Sequence, residues 1–118
     1  MREEIFRDIK GYEGIYQVGD KGNVRSLLDN HKNKRKEPKL LKQNLKKTGY
    51  YEVCLCKEQV REWLLVHRLV YAAFIGEIPD GMVVNHKSEI KTENFVENLE
   101  LLTPKENSNY GTRNQRIG

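Results

Sequence analysis

Apolar and polar positions alternate along much of this chain, and the alternation changes period at a few clear points. Residues 5–28 read as short strands and turns punctuated by Gly11 and Gly14. Within them, Ile15-Tyr16-Gln17-Val18 and Val24-Arg25-Ser26-Leu27 flank the turn sequence Asp20-Lys21-Gly22-Asn23, a half-buried hairpin. Tyr51, Val53 and Leu55 alternate with Glu52, Cys54 and Cys56, and a tight turn near Lys57-Glu58-Gln59 leads to a partner run, Val60 to Leu65. The period then lengthens. Leu69, Val70, Ala73 and Phe74 fall at helical spacing, which predicts a core helix over Arg68–Ile75 with Gly76 as its stop. Pro79-Asp80-Gly81 is a turn. It launches a short strand, Met82-Val83-Val84, that ends at Asn85-His86. Leu99 to Leu102 is a strand coming back, and Thr103-Pro104 opens a helix with Thr103 as N-cap, Pro104 in the first position and Glu106 in the third.

Composition narrows the picture. The 118 residues are 37% hydrophobic and 32% charged, enough for one small domain, or a small domain with an appendage, around a modest core. A formal charge of +4 favours a polyanionic partner. Much of that charge lies between residues 29 and 47, where Lys32, Lys34, Arg35, Lys36, Lys39, Lys42, Lys46 and Lys47 face a single acid, Glu37. By itself the run reads as a solvated, mobile loop tacked to the body by Leu40-Leu41, whose lysines and arginine would displace counterions from a polyanion without reading its sequence. Arg113 and Arg116 extend the basic set into the tail. No apolar stretch is long enough to span a membrane, and the charged start carries no leader, so a cytoplasmic protein is expected. Cys54 and Cys56 share one strand face and read as two small packing residues.

The strand–loop–strand–helix unit is where chemistry gathers. It brings Asn85 and His86 at the end of one strand towards Asn107 on the first turn of the helix. Two amide oxygens and an imidazole around one point suit a hard divalent ion with a base beside it. His67, at the start of the core helix, is read as a structural histidine bonded to backbone. Gly14-Ile15-Tyr16 is followed by no Tyr-Ile-Gly at a suitable spacing, which removes the GIY-YIG nucleases.

These residues carry a resemblance. Asn85-His86, Asn98-Leu99 and Asn107 stand in the order and register of the HNH motif, and Asn94 matches a later loop asparagine. The segment resembles the ββα-metal fold of HNH endonucleases of the phage and homing type. The N-terminal stretch Ile5-Phe6-Arg7-Asp8-Ile9-Lys10-Gly11-Tyr12 through Leu27 is similar to the NUMOD-type module that precedes such domains. The resemblance implies an α+β fold, with a small β-hairpin N-terminal module followed by a ββα-metal (His-Me finger) nuclease domain. Its expected parts are the module at 1–28, a basic linker at 29–47 and the nuclease domain at 48–118 with its metal core at about 82–112. It further implies double-stranded DNA as partner, one Mg²⁺ or Mn²⁺, and a phage or mobile-element setting. A monomer is the default and the oligomeric state stays open. In the implied mechanism His86 is the general base, Asn85 and Asn107 hold the cation, Asn98 ties the loop to the strands and orients His86, and Asn94 caps the loop. Where the family usually has Asp-Gly, this chain has Ser88-Glu89, which predicts a looser loop. Two other readings stand beside this one: a catalytically impaired DNA-binding or packaging-accessory protein on the same fold, and an interaction module that touches no nucleic acid.

Overall fold

The computed structural model describes residues 3–107. Among them, nine strands form three antiparallel sheets around one helix. β1 (Phe6–Asp8), β2 (Tyr16–Gly19), β3 (Val24–Leu28) and β4 (Lys34–Leu40) make the first sheet in sequence order. β5 (Asn44–Leu45), β6 (Tyr51–Lys57) and β7 (Val60–Leu65) make the second. The helix α1 (Val66–Phe74) follows, then the hairpin of β8 (Val83–His86) and β9 (Leu99–Leu102). A helical turn at residues 104–107 comes last.

Local chemistry accounts for most of these boundaries. The β6–β7 turn puts Glu58 and Gln59 at φ 52° and 68°, the two left-handed residues of a tight hairpin that pairs Lys57 with Val60. α1 starts at Val66, two residues before the predicted Arg68, and ends as expected at Ile75-Gly76, whose N–H groups both reach back to the Tyr71 carbonyl. At Thr103 the cap is reciprocal. Thr103 Oγ1 accepts from the Glu106 N–H at 3.1 Å, and Glu106 Oε1 accepts from the Thr103 N–H at 2.8 Å.

The segment 29–47 is not a loop. Asp29 closes a hairpin turn by accepting from the His31 and Asn33 N–H groups, and β4 pairs with β3 through Arg25↔Leu40, Ser26↔Lys39 and Leu28↔Lys34. β4 has no buried residue, so it lacks the apolar alternation by which strands are recognised. It forms because β3 offers an open edge. An edge also tolerates what a central strand would not: Pro38 need not donate to a neighbour, and the lysines discourage further pairing.

The core is shared. Val18 and Val24 from the first sheet, Val53 and Leu55 from the second, Val66 and Val70 from α1, and Val84 and Leu99 from the last hairpin form one buried cluster. α1 packs against strands of all three sheets. Side chains stitch the same seam: Tyr12 donates its hydroxyl to Glu62 at 2.6 Å, Arg7 donates to the Ala73 carbonyl at 3.2 Å, and the Cys56 N–H donates to the Tyr16 hydroxyl at 3.1 Å. Acceptance by the Glu62 carboxylate, with burial, pushes the Tyr12 hydroxyl up to about 12.

Candidate active site

β8 delivers the site. Its residues alternate between faces, so Val84 and His86 point inward while Val83 and Asn85 point away from the core. The register pairs His86 with buried Leu99 and Asn85 with half-buried Glu100. Asn85 and His86 therefore lie on opposite faces of the strand.

On the inner face, His86 is only 3% exposed, and its Nε2 lies 2.7 Å from Oδ1 of Asn94, itself 4% exposed. With an oxygen as the near atom, Nε2 carries the proton and Nδ1 is left as the basic nitrogen. Burial disfavours the imidazolium and lowers the His86 pKa below the usual histidine value; nearby Lys91 acts in the same direction, while the bond to Asn94 and the charge of Glu93 oppose it. Two rings back the imidazole. Tyr50 stacks on His67 at 4.8 Å and on His86 at 5.9 Å, and the His67 and His86 rings lie 5.0 Å apart. The Lys91 ammonium sits 4.9 Å over the Tyr50 ring and donates to the Thr48 carbonyl at 2.9 Å.

His67 departs from expectation. It is buried against these rings, yet Nδ1 has no hydrogen-bond partner, so the backbone bond foreseen for it is not there at that nitrogen. Burial, then the neighbouring His86 and Arg68, depress its pKa to about 3. It is a neutral ring in the wall behind His86.

The loop between the two strands is closed. Asn98 Oδ1 accepts from the Ser88 N–H at 2.9 Å, and its Nδ2 donates to Ser88 Oγ at 3.0 Å and to the Glu93 carbonyl at 2.9 Å. Ser88 Oγ also accepts from the Ile90 N–H at 3.2 Å, so the serine hydroxyl ties this turn where an aspartate was expected to. Glu89 has φ 65°, the conformation a glycine takes without strain. At the two positions where Ser88-Glu89 stands in place of Asp-Gly, hydrogen bonds from Asn98 and Ser88 close the turn and Glu89 takes the left-handed conformation. Asn98 thus ties the loop, whereas the direct contact to His86 comes from Asn94, read from sequence only as a loop cap.

On the outer face, Asn85 Nδ2 donates to Glu100 Oε2 at 3.0 Å and to the His86 carbonyl at 3.3 Å. A carboxylate can only accept, so Glu100 fixes which end of the amide faces it and turns Oδ1 the other way. Glu100 was missed by sequence reasoning. The signal was present: in a hairpin that pairs His86 with Leu99, the residue opposite Asn85 has to be Glu100. Asn107 follows Glu106 on the helical turn, with its N–H on the Thr103 carbonyl at 2.9 Å and its side chain exposed. Among the described residues no hydrogen bond joins its side chain to Asn85 or His86. Lys32, Lys34, Lys36, Lys39, Lys42, Lys46 and Lys47 are exposed, and Arg35 is half-buried with Nε on the Leu28 carbonyl at 2.9 Å. Arg113 and Arg116 lie outside the described residues.

Comparison with known proteins identifies two segments. Residues 64–109 match the family model of an HNH endonuclease, and residues 4–56 match that of the NUMOD4 motif. The chain thus carries an HNH endonuclease segment behind a NUMOD4 segment. It is 39% identical over 102 residues to DNA endonuclease I-HmuI of Bacillus phage SP01, covering 86% of this chain and 54% of that protein. A putative HNH homing endonuclease, YosQ, of an SPbeta prophage in Bacillus subtilis is 59% identical over 44 residues, which are 37% of this chain and 25% of that one. A solved structure of the HNH homing endonuclease I-HmuI, described as showing DNA binding and cleavage, superposes with a TM-score of 0.81 at 36% identity, over 94% of this chain and 59% of that one. The chain thus spans little more than half the length of I-HmuI. The NUMOD4 match runs through β4 and β5 into β6, well past residue 28.

Two outcomes follow for the site. Glu89→Gly relieves a left-handed non-glycine residue on an exposed loop and should stabilise the fold by about 1 kcal/mol; an unchanged or lower urea midpoint contradicts the strain. His67 is protonated near pH 6.5 when unfolded but only near 3 when folded, so acid favours the unfolded state, and stability falls as pH drops through that window. His67→Phe should flatten the loss between pH 6.5 and 4 by up to about 1.4 kcal/mol per pH unit. Parallel stability–pH curves for variant and wild type would show that His67 does not titrate this way.

Proposed function

We propose that this chain is a metal-dependent endonuclease acting on double-stranded DNA, with His86 as general base for hydrolysis of one phosphodiester bond. The observation that carries the reading is the buried His86 imidazole, neutral and held through Nε2 by Asn94 with Nδ1 left basic. In the reaction His86 Nδ1 takes a proton from a water, the water oxygen forms a bond to phosphorus, and the 3′ oxygen departs with its electron pair and is protonated. The wall of Tyr50 and His67 packs against the ring, and the Lys91 ammonium on Tyr50 adds a positive charge near it.

The donor set fits a hard cation. Among the described residues no three of His, Cys, Asp and Glu converge as metal ligands, so an ion here takes amide, phosphate and water oxygens. Asn85, with Oδ1 turned away from Glu100, and Asn107 would hold it, and Glu100 adds a negative charge beside Asn85. A bound Mg²⁺ or Mn²⁺ would neutralise charge developing at the phosphate and at the leaving oxygen. The opposite-face placement of Asn85 and His86 suits this division of labour: a phosphate straddling the end of β8 meets its ligand on one side and its attacking water on the other. I-HmuI, by its description, binds and cleaves DNA, which agrees with this reading. The setting that fits is the cytoplasm of a phage or mobile-element host.

β4 is the surface we assign to DNA phosphates. It is an exposed, lysine-rich edge strand rather than a floppy tether, so its charges are carried on an ordered backbone. The impaired-protein alternative draws on the Ser88-Glu89 departure and on the lack of an acidic ligand in the Asn85, His86 and Asn107 set; the hydrogen bonds that close the loop weigh against the first ground and leave the second standing.

Two experiments test the proposal. Supercoiled plasmid with Mg²⁺ or Mn²⁺ should be nicked or cut, and His86→Ala should lower the rate by about 10²–10⁴-fold while gel-shift binding is kept. Binding without cutting by the wild-type chain, across metals and pH, would establish the impaired reading instead. Replacing Lys34, Lys36 and Lys39 by glutamine should weaken binding and reduce the log–log salt slope by about 0.9 for each phosphate no longer neutralised. An unchanged slope would take β4 out of the interface.

A further inference from the structure

The N-terminal module reaches the catalytic loop. The turn between β2 and β3 lies directly against Asn94, the residue that holds His86. Gly22, buried in that turn, has φ +94°, and a Cβ placed on it would lie 2.8 Å from Asn94 Cβ and 3.2 Å from the Asn94 carbonyl oxygen. The Val96 N–H donates to the Asp20 carbonyl at 2.8 Å, so the strand of loop that carries Asn94 is hydrogen-bonded to the module on its other side as well.

The turn itself is held on several sides. Glu4 Oε2 accepts from the Lys21 N–H at 3.0 Å and from the Asn23 N–H at 3.1 Å. Buried Asp20 exchanges bonds with Ile5: its Oδ1 accepts from the Ile5 N–H at 3.1 Å, and its own N–H donates to the Ile5 carbonyl at 2.9 Å. Gln43 Nε2 donates to the Gly22 carbonyl at 2.8 Å from the link between the first two sheets. A turn pinned this firmly is not filler. It acts as a stop for whatever leans on it, and what leans on it is Asn94.

We infer that Gly22 and its turn are positioning elements of the active site: the NUMOD-like module sets Asn94 and, through it, the orientation of His86. The module is therefore part of the hydrolytic machinery and not only a DNA-holding appendage, a conclusion that rests on His86 being the base of the proposed nuclease. A substitution at Gly22 pushes Asn94 with little room to yield, since Asn94 is buried and bonded at 2.7 Å to the imidazole it serves. Small errors in placing a reacting group lower turnover far more than binding.

The test compares three full-length variants. Gly22→Ala carries both the left-handed strain and the contact with Asn94. Gly14→Ala is the control, because Gly14 has φ +78° and open space around its Cβ position. Gln43→Ala releases the Gly22 carbonyl with no backbone strain. Gly22→Ala should lower kcat by at least about tenfold with the Kd for DNA unchanged, Gln43→Ala should lower it by about threefold, and Gly14→Ala should cut at the wild-type rate. In DNA-free protein, the ring ¹⁵N and Nε2 proton signals of His86 should move in Gly22→Ala and in Gln43→Ala but stay in place in Gly14→Ala. If His86 signals and kcat are unmoved in Gln43→Ala and in folded Gly22→Ala, or if Gly14→Ala shows the same loss, the inference is overturned. Should the wild-type chain cut no DNA, the nuclease reading fails, and the His86 signals still decide whether the module positions that ring.

Discussion

A single buried hydrogen bond, from His86 Nε2 to Asn94 Oδ1, sets the chemistry available to this fold. An imidazole buried without a partner would be free to adopt either tautomer and several orientations. Committing its one proton to a fixed bond leaves the other nitrogen bare, as the proposed role of general base requires. The surroundings favour the neutral ring: burial and the Lys91 charge weigh against the imidazolium. The rest of the hairpin loop reads as support for that bond. Asn98 ties Ser88 and Glu93 together and closes the loop that carries Asn94. Glu89 accepts a strained conformation so that the turn can complete.

The two family segments form one body through a shared core. The core draws on the NUMOD4-matched strands and the HNH-matched elements alike, and α1 packs on all three sheets. A hairpin of two four-residue strands could not hold a catalytic geometry alone, because it buries too little apolar surface. The first sheet supplies the missing wall, at Gly22 and Asp20. The basic strand β4 is the far edge of that same sheet, so the surface assigned to phosphates and the wall behind Asn94 are joined by one hydrogen-bonded ladder.

Much of this was legible from the residues. Elements with a strong period were: the β2–β3 and β6–β7 hairpins, α1, and the β8–β9 hairpin with its Thr103 cap all lie within a residue or two of where the pattern puts them. β4 was hidden because backbone pairing alone forms it, and no apolar face marks it. Asn94 was visible as a loop residue, but its bond to His86 depends on how the intervening loop folds back. Glu100 followed from hairpin register and was overlooked. His67 lies next to His86 only because α1 packs under β8, a tertiary fact with no local signature. That Asn85 and His86 leave β8 on opposite faces follows from strand alternation.

The central claim is the protonation state of one ring. Long-range ¹H–¹⁵N correlation of the three histidines at pH 7 reads it directly, with His86 assigned by its loss in His86→Ala. A neutral His86 with its proton on Nε2 and a bare Nδ1 is expected. A proton on Nδ1, or a fully charged imidazolium at that pH, would contradict it.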